Sequence, residues 1–136
     1  MAITRKRFKP EVMQPGVVFI AGRVAIGATG AVGAQTGKGF SVTRTGTGLY
    51  TITIDTSSVG GVNTTRGVPA ILHAQLDIAP AAANATQYAT VLTFAPTTGT
   101  LTVQTSTEAT PNTAADPPSG SFLQVFLVVQ NTIANG

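Results

Sequence analysis

One histidine and five carboxylates are all that this 136-residue chain offers for acid–base or metal chemistry. The histidine is His73; the carboxylates are Glu11, Asp55, Asp77, Glu108 and Asp116. A serine–histidine–aspartate site needs an acid within hydrogen-bond reach of the imidazole. Asp77 shares a strand face with His73, but four residues of extended chain separate them by about 13 Å. That is too far for one to orient the other. A metal centre would have to draw on His73 and acids scattered along the chain, none at ligand spacing. There is no cysteine, so disulfides, thiolate catalysis and zinc–thiolate sites are excluded.

The glycines invite a phosphate-binding reading, and it fails on spacing. A P-loop needs glycine five residues before the Gly of Gly-Lys, and Ser or Thr after the Lys. Gly37-Lys38 has Val32 at the first place and Gly39 at the second. A dinucleotide fingerprint also breaks, because Gly37-x-Gly39 runs on to Val42 and Gly46-x-Gly48 to Thr51. Asn63-Thr-Thr65 and Asn84-Ala-Thr86 fit the glycosylation acceptor pattern, as chance matches in a threonine-rich chain do. We therefore expect no enzyme, no catalytic residue, no cofactor and no metal.

Charge is scarce and unevenly placed. Charged residues make up 10% of the chain, against roughly 25% in an average soluble domain. The net charge of +3 sits at the start, where Arg5, Lys6, Arg7 and Lys9 face only Glu11. Past that point Arg23, Lys38, Arg44 and Arg66 balance Asp55, Asp77, Glu108 and Asp116. A basic arm of this kind attracts acidic protein surface, or nucleic acid without base specificity. Pro10, Glu11, Gln14 and Pro15 interrupt any signal-peptide core, and no apolar run reaches the 18 or so residues of a membrane helix.

The elements that would carry these residues read as strands. The clearest is a hairpin over 40–55, where Phe40 and Val42 alternate with Ser41 and Thr43. Tyr50, Ile52 and Ile54 alternate with Thr51, Thr53 and Asp55 in its second arm. Thr45-Gly46-Thr47-Gly48 joins the arms, with glycine supplying positive φ. Short strands are also expected at 16–21 and at 23–26, beyond a bulge at Gly22, with a glycine/alanine loop over 27–39. Strand 70–79 is expected to place Ala70, Leu72, Ala74, Leu76 and Ile78 on one face and Ile71, His73, Gln75 and Asp77 on the other. Strands 87–95 and 100–106 form a second hairpin about Pro96-Thr-Thr-Gly99. Strand 122–130 is apolar on both sides: Leu123, Val125, Leu127 and Val129 on one, Phe122, Phe126 and Val128 on the other. Both faces should then be covered, the second by the N-terminal segment or another subunit. The expected fold is all-β, a single antiparallel β-sandwich or jelly roll of about eight strands. It divides into a basic extended arm, 1–15, and a β-sandwich domain, 16–136.

The run Gly-Phe-Ser-Val-Thr-Arg-Thr-Gly-Thr-Gly-Leu-Tyr-Thr-Ile-Thr, 39–53, resembles a segment of small virion proteins of tailed bacteriophages. The order around it is similar too: an early glycine/alanine-rich strand, a Thr-Gly-Thr-Leu-Thr-Val-Gln-Thr return at 98–105, and a hydrophobic strand after an Asp/Pro/Ser loop. Such proteins are capsid decoration or cement proteins, or β-domains of head and tail fibres. The resemblance implies a β-sandwich that assembles as a homodimer or homotrimer, the trimer slightly favoured, and carries no catalytic residues.

These readings lead to the expectation of a viral structural protein on the capsid surface of a virion, with the major capsid protein as partner. Arg5, Lys6, Arg7 and Lys9 would be its capsid-binding arm, since about fifteen extended residues reach up to roughly 50 Å. Phe122, Phe126 and Val128 would be its subunit interface. The alternative is a fibre module whose loops 56–68 and 107–120 recognise a host surface. A fibre domain usually follows a long upstream stalk, which this sequence does not show, so cement is the first expectation. No specific nucleic acid and no membrane is expected as a partner.

Overall fold

A computed structural model describes residues 17–54, 70–81, 87–95 and 99–130. Among them are eight strands: β1 (Val17–Ile26), β2 (Val32–Gly37), β3 (Phe40–Gly46), β4 (Leu49–Ile54), β5 (Ala70–Ala79), β6 (Gln87–Ala95), β7 (Thr100–Thr107) and β8 (Phe122–Gln130). All pairings are antiparallel and build two sheets, β2-β1-β8-β5 and β3-β4-β7-β6. The sheets pack face to face as a sandwich. β1–β2, β3–β4 and β6–β7 are hairpins within a sheet, and the other connections lead from one sheet to the other. This order supports the sandwich expectation; the jelly roll named beside it is not demonstrated by it.

Alternation decides which side chains are inside. β1 contributes Ile20, Val24 and Ile26 to the core, and β8 contributes Leu123, Val125, Leu127 and Val129. From the other sheet come Phe40, Tyr50, Ile52, Ile54, Leu101 and Val103. Each is buried, and each full burial of an aliphatic or aromatic side chain contributes about 1.5–3 kcal/mol.

The hairpin over 40–54 forms as its alternation requires, with Val42 opposite Ile52 and Thr43 opposite Thr51. Gly48 stands at φ 63°, so the turn uses the left-handed conformation that glycine adopts at least cost. Gly99 does the same at φ 65° before β7.

Three local readings are corrected. First, β1 pairs with β8 from Val17 to Ala25 without a break, so Gly22 is no bulge in that ladder. A Cβ at Gly22 would run into the Thr36 carbonyl oxygen and the Phe40 ring, and the missing side chain lets the facing sheet approach. Second, 27–39 is not one loop. A short 3-10 turn at Ala28–Gly30 leads into β2, whose largely exposed residues pair with β1.

Third, β5 does not alternate cleanly. A bulge between Ile71 and His73 sets two residues against Val128 of β8. Ile71 thereby joins Ala74 and Ile78 against the core, and Leu72 is expelled to 51% exposure. The outer face of β8 is left partly open by the described residues, and the N-terminal segment expected as one possible cover lies outside them. Phe122 and Val128 are half-buried, and Phe126 is exposed. The arm residues 1–15 lie outside the described residues, as do Asp55, loop 56–68, Pro96 and both candidate glycosylation asparagines.

Candidate functional site

His73 and Asp77 both point outward from β5 and are exposed. Register places His73 beside Val128 and Asp77 beside Gln124, in different rows of the sheet. Gln75 lies between them and donates from Nε2 to the Asp77 carboxylate at 3.4 Å. Among the described residues, no group of three or more His, Asp or Glu side chains converges as a metal site would need.

The strongest polar constellation lies elsewhere and joins residues far apart in sequence. Asp116, in the loop before β8, receives Arg44 Nε at 3.1 Å and Arg44 Nη2 at 2.7 Å, a two-pronged ion pair. The Gly48 backbone N–H donates to the same carboxylate at 2.7 Å. The Arg44 hydrogen bond, aided by that N–H, holds the Asp116 carboxyl below the ordinary value of 3.8, against the opposing effect of partial burial. Arg44 is raised in turn, chiefly by the Asp116 hydrogen bond.

Nearby, the Tyr50 hydroxyl donates to the Gly30 carbonyl at 2.9 Å. Burial, and secondarily the Asp116 charge, push this phenol up to about 12. Thr105 completes the set: its hydroxyl donates to Ala115 O at 2.7 Å, and its N–H donates to Gly48 O at 2.8 Å. These bonds fasten the turn at 28–30, the β3–β4 hairpin and the loop over 107–121 to one another. Arg44, Asp116, Tyr50 and Thr105 all bond within the chain, so the cluster acts as a staple.

The two sheets differ in what their central strands present outward. On the β3-β4-β7-β6 sheet, Thr43, Thr51, Thr102 and Thr93 stand in one row across four strands. The hydroxyls of Thr93 and Thr102 are 2.6 Å apart. Ser41, Thr53 and Thr100 form a neighbouring row. These rows are hydroxyl-lined, whereas the edge strand β6 of the same sheet exposes Tyr88, Leu92 and Phe94.

On the β2-β1-β8-β5 sheet the outer face is aromatic. Phe19 and Phe126 stack with ring centroids 5.9 Å apart and planes 21° from parallel. The Arg23 guanidinium lies 4.6 Å from the centroid of Phe122, a cation–π contact. Phe19 is 52% and Phe126 38% exposed, so stacking covers each ring only in part. Two shallow depressions flank Gln124. One, of about 350 Å³, is lined by Ala21, Gly22, Arg23, Thr36 and Gly37; the other, of about 160 Å³, by Gln75, Asp77, Val125 and Phe126.

Phe122, Phe126 and Val128 thus share the outer face of a central strand, as their spacing requires. Phe19, Arg23 and Leu72 join them there, and sequence reasoning did not find these three. Phe19 sits in an unbroken apolar run with no visible alternation, and Leu72 is turned outward only by the bulge. Arg44 and Asp116 were also missed as a pair, being 72 residues apart with no local signal. Compared with known proteins, the chain matches no family model, no curated protein and no solved structure.

Proposed function

We propose that this protein is a structural component of a tailed-phage virion that binds the outside of the capsid and stabilises it. The observation that carries the reading is the aromatic outer face of the β2-β1-β8-β5 sheet. Phe19, Phe122, Phe126 and Val128 form an apolar surface on a chain with few charges to keep it dispersed. Such a face is suited to burial by association, and closed homo-oligomers commonly bury surfaces of this kind. In this reading Phe122, Phe126 and Val128 hold subunits together as a homodimer or homotrimer. Arg5, Lys6, Arg7 and Lys9 reach onto acidic surface of the major capsid protein. Attachment then reinforces the shell by burying area across capsomer joints.

The second reading is a head-fibre or tail-fibre module that recognises a host surface. It is favoured by the stapled loop before β8, because recognition residues work best on a loop held by a rigid scaffold. Immunogold labelling of particles of the phage that carries the gene distinguishes the two. Label spread over the head supports the capsid reading. Label confined to the tail or to projecting fibres overturns it in favour of the second, and unlabelled particles overturn both.

A further inference from the structure

The outer face of the β2-β1-β8-β5 sheet is complementary to itself, and we propose that two copies pack face to face about a two-fold axis running along β8. The inference rests on reading this face as a subunit interface and adds the dimeric state, the orientation and the residue pairing.

Register orders the face in four rows of three, read from β1 across β8 to β5. They are Ala25–Phe122–Ala79, Arg23–Gln124–Asp77, Ala21–Phe126–Gln75 and Phe19–Val128–His73. The backbones of Arg23 and Asp77 lie two strands apart, about 9–10 Å, and the Arg23 guanidinium lies over the Phe122 ring rather than against Asp77. Among the described residues the only ion pair is Arg44–Asp116.

A half-turn about an axis parallel to β8 lays one copy's β1 over the other copy's β5 and leaves each row in place. Arg23 then faces Asp77 of the partner subunit, and Asp77 faces the partner's Arg23, so both unpaired charges find partners by a single operation. Ala21, which borders the 350 Å³ depression, faces the long side chain of Gln75 of the partner subunit. Phe19 faces His73 of the partner subunit, and Phe122 and Phe126 meet their own copies along the axis. Sheets pack about 10 Å apart with strands within about 30° of parallel, which accommodates this superposition.

Other operators fail on charge. A two-fold axis across the strands lays β1 over the partner's β1 and β5 over its β5, so Arg23 and Asp77 never meet and both charges stay without an opposite partner. A three-fold arrangement cannot superpose the face on itself, because a self-complementary patch is a two-fold interface.

Charge exchange tests this directly. By light scattering, the intact protein is expected to be a dimer. Arg23→Asp places carboxylates opposite Asp77 of the partner subunit, and Asp77→Arg places guanidiniums opposite Arg23 of the partner subunit. Each variant alone is therefore expected to dissociate at least tenfold more readily than the unaltered protein. Mixed in equal amounts, the two variants restore both opposite-charge contacts. They are expected to form a heterodimer with one copy of each, resolved by native mass spectrometry. The mixture also controls for folding, since a misfolded variant would not pair.

A monomeric intact protein, its face being covered by its own N-terminal segment or by capsid protein, overturns both the interface reading and this geometry. A dimer or trimer indifferent to both substitutions, or variants that fail to heterodimerise, overturns the geometry and leaves the assembly reading standing.

Discussion

Gly48 is the residue on which most local geometry converges. It holds positive φ, its N–H donates to Asp116, and a Cβ there would collide with the Ala115 backbone. Gly48→Val is expected to cost at least the 1–3 kcal/mol of a strained backbone position, with the collision in addition, and to lower the melting midpoint by several degrees. An unchanged midpoint would contradict the turn geometry. Asp116 gives a pH dependence whose sign follows from its depressed pKa. The ion pair contributes its full stability above the ordinary carboxyl value of 3.8 and loses it as pH falls through the lower folded-state value. Asp116→Asn removes that contribution, so the variant's melting midpoint should lie closest to the native one at the acid end and furthest from it at neutral pH. A gap constant across that range would argue against the ion pair as its source. The turn glycine was legible locally, but the ion pair was not, because Arg44 and Asp116 are brought together only by the tertiary fold.

At the scale of elements, alternation carried the reading where strands are long and well patterned. The β3–β4 hairpin, the β6–β7 hairpin and β8 could be placed because β-branched and aromatic residues mark a regular pleat. β2 escaped because Val32-Gly-Ala-Gln-Thr-Gly carries few strand formers, and its pairing with β1 supplies what its composition does not. The bulge in β5 escaped for a different reason. One inserted residue shifts the phase of alternation, and the shift shows only when the partner strand is known. The bulge makes a sharp distinction between two leucines four residues apart. Leu76→Ala should cost about 2–5 kcal/mol, as a buried leucine does, whereas Leu72→Ser should leave the denaturant midpoint nearly unchanged. Equal effects would show that β5 alternates without the bulge.

For the whole molecule, the outer face of the β2-β1-β8-β5 sheet is the surface through which we propose that subunits associate. One sheet presents rows of threonine hydroxyls beside an edge strand that exposes Tyr88, Leu92 and Phe94, and the other presents partly exposed phenylalanine rings on its central strands. The sequence showed that β8 is apolar on both sides; it could not show that Phe19, Arg23 and Asp77 share that surface, because only strand order brings them together. In the function we propose, the basic arm serves attachment rather than folding. The central claim, that the protein is held on capsids by this arm, is tested most directly by co-sedimentation with heads stripped of it. Intact protein and a chain lacking residues 1–12 would be compared across salt concentrations. The account predicts saturable binding of the intact protein that weakens as salt screens the arm. It also predicts markedly weaker binding by the shortened chain, with its melting midpoint and oligomeric state unchanged. Binding by the shortened chain as strong as that of the intact protein, at low salt and high, would contradict it.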